Sequence, residues 1–96
     1  MKPVKRVEIV IESVAAPQLL DILESHGFTQ YTMMREASGK GDRGVSLGGV
    51  GGELNNSYIL IACEPERAGE LVEWMRPVLK RFGGMMLVSD ALWVKH

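Results

Sequence analysis

The residues best suited to chemistry crowd into one stretch. Seven of the eleven glycines, Gly39, Gly41, Gly44, Gly48, Gly49, Gly51 and Gly52, fall within fourteen consecutive positions. Its basic part reads Ser38-Gly39-Lys40-Gly41-Asp42-Arg43-Gly44. Such glycines let successive backbone N–H groups converge on one concave point, and Lys40 and Arg43 add charged donors, a combination that suits phosphate or a small oxyanion. The letters GxGxxG are present, but they lead into VSLGGVGG rather than a helix, and no GxxxxGK[ST] spacing exists, so neither a dinucleotide fingerprint nor a P-loop is indicated. The same composition also suits a solvated linker. Position speaks for the anion site: the basic part abuts the end of a strand, while SLGGVGGEL lies farther out, where a mobile tip could read a partner.

Chemistry elsewhere is sparse. His26 and His96 are the only histidines and have no carboxylate or cysteine at ligand spacing, so no metal site is expected within one chain. His26 is expected to interact with the negative end of the first helix. The lone Cys63 leaves no intrachain disulfide and no CxxC pair, and reads as a small hydrophobe on a strand. Met33-Met34 and Met85-Met86 read as core or interface filler, and Trp74 and Trp93 as buried residues or interface anchors. No serine has a paired base at recognisable spacing, so no catalytic residue is assigned and the chain is not expected to be an enzyme. A net charge of -1 argues against nucleic acid as partner. MKPVKRVEIVIE lacks the apolar core of a signal peptide and no run is long enough to insert in a membrane, which predicts a cytoplasmic protein.

The elements that must position these residues follow from periodicity. Val7, Ile9 and Ile11 alternate with polar residues between Lys5 and Glu12, giving a first strand. Pro17 opens a helix over about 16 to 26, with Leu19, Leu20, Ile22 and Leu23 as its apolar stripe and Gly27 as its stop. Gln30 to Arg35 reads as a second strand and Ser57 to Cys63 as a third. Between them lie twenty residues, Ala37 to Asn56, without helical or strand period. A second helix starts near Pro65, is expected to kink or restart at Pro77, and ends at Gly83-Gly84; Met85 to Lys95 forms a fourth strand. The order β-α-β-β-α-β predicts an α+β, ferredoxin-like domain over 1–96, with a four-stranded antiparallel sheet and both helices on one face. The third and fourth strands are apolar on both faces, so the helix-free face predicts self-association. A core of 96 residues buries roughly 65% of the unfolded surface and leaves little material to enclose a ligand, so a sizeable site is expected to need a second copy.

Strand two followed by SGKGDRG, the long segment, the CEPER turn after strand three and the final GGMMLVSDALWVK strand resemble the PII signalling family over essentially the whole chain. The likeness is closest to the PII-like proteins associated with carboxysomes and bicarbonate transport, in which a GKGxR-type loop base is typical. It implies a homotrimer with adenine nucleotide between subunits and a T-loop, here about 37–56, that contacts a target protein, transporter or carboxysome-related. Carried over, Thr32 and Met33 would approach the base; Gly39, Lys40, Gly41 and Arg43 would hold phosphates; Gly83 and Gly84 would line the shortened loop that wraps them; and Lys95 would reach a neighbour's cleft. Gly39, Gly41 and Arg43 would hold bicarbonate. Asp42 stands where the family's magnesium and 2-oxoglutarate glutamine is expected, and Gly84 where a phosphate-binding lysine is expected. No tyrosine occurs in 37–56, so uridylylation is not implied. ADP or AMP is therefore expected rather than Mg-ATP, with carboxysome association possible and inorganic carbon metabolism as the setting. Two alternatives stay open: a trimeric metal-tolerance or metal-sensing protein of related fold, with His96 and the Met pairs serving across subunits, and a small ferredoxin-like enzyme with the glycine segment as a lid.

Overall fold

A computed structural model describes the backbone of residues 1–37, 40–41, 44–45 and 55–96, and the side chains of 1–35 and 55–96. Strand β1 (Lys2–Glu12) leads through a 3-10 turn (Ser13–Ala15) into helix α1 (Ala16–Ser25), followed by β2 (Thr32–Ala37). Two short strands, β3 (Lys40–Gly41) and β4 (Gly44–Val45), precede β5 (Asn56–Cys63). A second 3-10 turn (Pro65–Arg67), helix α2 (Ala68–Phe82) and β6 (Met85–Trp93) complete the chain. The main sheet has the order β2-β5-β1-β6 with every neighbouring pair antiparallel, the split βαββαβ arrangement expected from the sequence.

The first strand begins three residues earlier than its alternation suggested. Pro3 is the reason the start is hidden, and its place explains its tolerance: pairing with β5 begins only at Lys5, so Pro3 lies where β1 has β6 alone as a neighbour. The odd residues Val7, Ile9 and Ile11 sit opposite Ile61, Ile59 and Ser57 and are buried beneath the helices. Leu19 and Leu23 from α1 and Leu71, Met75 and Val78 from α2 close this core. Burying each such aliphatic side chain contributes about 1.5–3 kcal/mol, so the single layer between sheet and helices holds most of the stabilising apolar surface. At the sheet end, Ser13 donates its N–H to the Asn55 carbonyl at 2.7 Å and its hydroxyl shares a 2.8 Å hydrogen bond with Ser57, fixing the entry to α1 against β5.

One expectation narrows and one needs correcting. Of the kink or restart expected at Pro77, the restart is absent, and helix α2 passes through Pro77. Pro77 and Glu73 are both exposed, so the Glu73 carbonyl that loses its N–H partner faces water rather than apolar core. The 37–56 segment is also not free of strand: Lys40 pairs with Val45 and Gly41 with Gly44, a short ladder rising from the end of β2. The stop signals are as expected, with Gly27 at φ 87° after α1 and Gly83 at φ 78° after α2.

Candidate functional site

Strand β2 pairs Thr32 with Leu60 and Met33 with Ile59, and the pleat therefore sends these two candidates to opposite faces. Met33 lies on the helix side, packed against the buried cluster that contains Ile59. Thr32 is exposed on the helix-free face, beside Leu60. That open face carries Met34, Met85, Leu87 and Trp93, each about half exposed at 56%, 49%, 51% and 52%. It is the unexplained apolar surface anticipated from the strands.

At the end of the sheet where β1 begins and β5 and β6 finish, the open face bears a groove of about 610 Å³. Val4, Ala62 and Trp93 give it apolar walls, while Lys2, Gln30 and Lys95 supply polar groups. This volume falls in the range of small-molecule sites, and an indole beside two amines suits a planar ring with an anionic substituent. Ala62 is two residues beyond Leu60 on the same face, so Thr32, beside Leu60, stands one pleat repeat short of the groove and does not line it. Lys95 lines the groove of its own protomer just beyond β6, the edge strand opposite β2 and Thr32. Lys2 is partly neutralised there by an ion pair with Glu64. Cys63 also borders the groove, but burial is the largest influence on its thiol and pushes the pKa up, against a lowering by Arg67, so it stays protonated and is a poor nucleophile.

The phosphate candidates lie at the other end of the sheet. Gly84 has φ +112°, and a Cβ there would stand 2.5 Å from the Val10 carbonyl. No lysine fits at that position, which gives a steric reason for the departure from the family pattern. Lys40 and Gly41 issue from the same sheet end, since Ala37 pairs with Asn56 and Asn56 with Glu12. Gly39, Asp42 and Arg43 lie outside the described residues, as does the tip from 46 to 54. From Lys2 at the groove to Val10 at the Gly84 turn the strand rises roughly 26 Å at about 3.3 Å per residue. One protomer therefore sets Lys95 and the groove most of the sheet away from Gly83 and Gly84, which lie at the end from which Lys40 and Gly41 leave, while Thr32 stands on the far edge strand at the level of Glu8, between the two.

A polar cluster on the open face was not singled out from the sequence. Tyr58 Oη donates to Glu8 Oε2 at 2.7 Å, Arg6 Nε donates to Ser89 Oγ at 3.1 Å, and Arg6 Nε lies 3.5 Å from Glu8 Oε1. The hydrogen bond to the carboxylate is the main reason the Tyr58 phenol is pushed above its ordinary pKa. Arg6 and Glu8 read along the chain only as the polar half of an alternation; the signal was the pairing register, which places them beside Tyr58 and Ser89. His26 caps α1 as expected, through its backbone N–H, which donates to the Ile22 and Leu23 carbonyls at 3.3 and 3.2 Å. Its ring stacks on Trp74 with centroids 3.5 Å apart, while Arg67 Nη2 donates to the His26 carbonyl at 2.8 Å, so Arg67 supplies the positive charge at the end of α1. Among the described residues no group of three or more His, Cys, Asp or Glu could hold a metal ion, and no helix is long and apolar enough to cross a membrane.

The family model of the nitrogen regulatory protein P-II matches residues 4–96. Among solved structures, the chain is similar to CPII, a nitrogen regulatory PII-like protein from Thiomonas intermedia, bound to ADP, AMP and bicarbonate: TM-score 0.78, 26% identity, with 98% of this chain and 96% of that chain covered. CPII bound to ADP and bicarbonate matches with TM-score 0.79 and 29% identity over 93% of this chain and 86% of that one. CPII bound to ADP, AMP and acetate gives 0.81 and 26%, over 98% and 91%. No curated protein matches the chain significantly.

Proposed function

Because the chain belongs to the nitrogen regulatory protein P-II family, we propose that it is a PII-like regulator that binds ADP or AMP, together with bicarbonate, in clefts between the copies of a homotrimer. The observation that carries this reading is the likeness, over 98% of the chain, to a PII-like protein holding ADP, AMP and bicarbonate. The separation of Lys95 from the phosphate candidates within one protomer supports the inter-subunit cleft: the groove with Lys95 on one copy would meet the Gly83-Gly84 turn and the loop base of another. Thr32 offers a hydroxyl to the base from the open face, and Met33 braces its strand from the core side. Gly39, Lys40, Gly41 and Arg43 hold the phosphates, and Gly39, Gly41 and Arg43 take bicarbonate. Gly84 leaves no side-chain cation for a third phosphate, which favours ADP or AMP over ATP. The chain acts by binding rather than catalysis. Its T-loop over 37–56 signals to a target protein, transporter or carboxysome-related, in inorganic carbon metabolism, from the cytoplasm.

Titration calorimetry with ADP, AMP and ATP, with and without bicarbonate, tests the reading. ADP or AMP should bind more tightly than ATP, bicarbonate should strengthen that binding, and Arg43→Ala should weaken it about 10- to 150-fold through loss of a charge-assisted hydrogen bond contributing about 1.5–3 kcal/mol. An Arg43→Ala titration indistinguishable from wild type removes the site.

A further inference from the structure

At its centre the open face holds a charged cluster amid apolar neighbours. Arg6 and Glu8 stand side by side on β1, joined to Ser89 on β6 and Tyr58 on β5, and ringed by Met34, Leu60, Met85 and Leu87. Tyr58 and Ser89 fix the two charges across three strands. Yet Arg6 uses only Nε; its two Nη groups donate to no described residue. While the face is wet, this costs little. Once the surrounding apolar surface is covered, unmet guanidinium donors lose their water, and the covering surface must present an acceptor, preferably a carboxylate, at the centre of an apolar field. The open face of a second copy fits that description: Glu8 sits at its centre, and the Arg6/Glu8 pair brings no net charge.

We propose that Arg6 of one copy donates through its Nη groups to Glu8 of the next, so that this pair is the register lock of the interface between copies. The proposal rests on the trimer reading and adds the contact that selects one alignment of otherwise featureless apolar faces. An apolar face alone tolerates sliding, whereas a charge pair leaves an unpaired buried charge in every misaligned docking.

Cysteine pairing tests it. The Arg6→Cys and Glu8→Cys variants are purified separately, mixed, and treated with a short bismaleimide cross-linker whose span matches the reach of an Arg–Glu pair, and the products are run on a denaturing gel. The mixture should give a covalent dimer that neither variant gives alone. Dimer from one variant alone, or none from the mixture, overturns the pairing. Sedimentation over a dilution series supplies the second readout. Arg6→Met and Glu8→Leu should each weaken association of the copies about tenfold or more at unchanged helix and strand content, and the Arg6→Met/Glu8→Leu double variant should recover it, because no buried charge is then stranded. Single variants that associate like wild type overturn the lock while leaving the trimer standing; a monomeric wild type overturns the trimer itself.

Discussion

Gly84 shows how one position can be closed to every other residue. Its φ of +112° is unfavourable for any side chain, and its missing Cβ is replaced by the Val10 carbonyl at 2.5 Å, with Ile11 close behind. Backbone cannot retreat as a side-chain tip can. Gly84→Ala should therefore cost about 1–3 kcal/mol through strain and steric overlap, which for a domain of this size lowers the melting temperature by roughly 4–8 °C per kcal/mol. Differential scanning calorimetry checks this against Gly69→Ala. Gly69 has nothing within 4 Å of its would-be Cβ and lies in α2, so that variant should melt no lower than wild type. Equal melting temperatures for both variants would contradict the steric account. This residue also marks a limit of reading one chain alone: Gly83-Gly84 was legible as a helix stop, whereas the contact with β1 that forbids a lysine depends on where β1 runs in space.

At the scale of elements, the fold was legible because alternation and helical spacing each report burial on one face. Val7, Ile9 and Ile11 disclosed β1, and Leu71, Met75 and Val78 disclosed α2, since these residues are buried for the same reason they are spaced. Register was not legible. Thr32 and Met33 are adjacent in sequence, and only the pairing with Leu60 and Ile59 assigns them to opposite faces. The long segment between β2 and β5 likewise hid the Lys40–Gly41 and Gly44–Val45 ladder, since two-residue strands are too short to show a period. That ladder ends at Val45 and β5 starts at Asn56, with residues 46–54 between them outside the described residues. Deleting Ser46–Gly52 shortens the 37–56 connection from twenty residues to thirteen, which changes the loop-closure term by only about 0.4 kcal/mol. The melting temperature and ADP affinity should both stay at wild-type values. A fall of many degrees in thermal melts would mean that this segment packs on the domain.

Seen as a whole molecule, the protomer is one-sided. Its helices pack on one face of the sheet, while Met34, Met85, Leu87 and Trp93 stand about half exposed on the other, around the Arg6, Glu8 and Tyr58 cluster. The same face bears the groove lined by Lys95, roughly 26 Å along β1 from the Gly84 turn, so covering the face and completing the ligand site become one event. Association and nucleotide affinity should then be lost together. Leu87 is the position for testing this, because it is exposed in the protomer, makes no part of the buried core and lies outside the groove lining. Leu87→Lys sets a charge into the apolar face directly across from Glu8, where the opposite charge spares the isolated domain, and should convert a particle of three times 10.6 kDa into a folded monomer in light scattering. The same variant should show no ADP binding by calorimetry at concentrations that saturate wild type, with its circular dichroism spectrum unchanged. A monomer that still binds ADP with wild-type affinity would place the complete site within one chain.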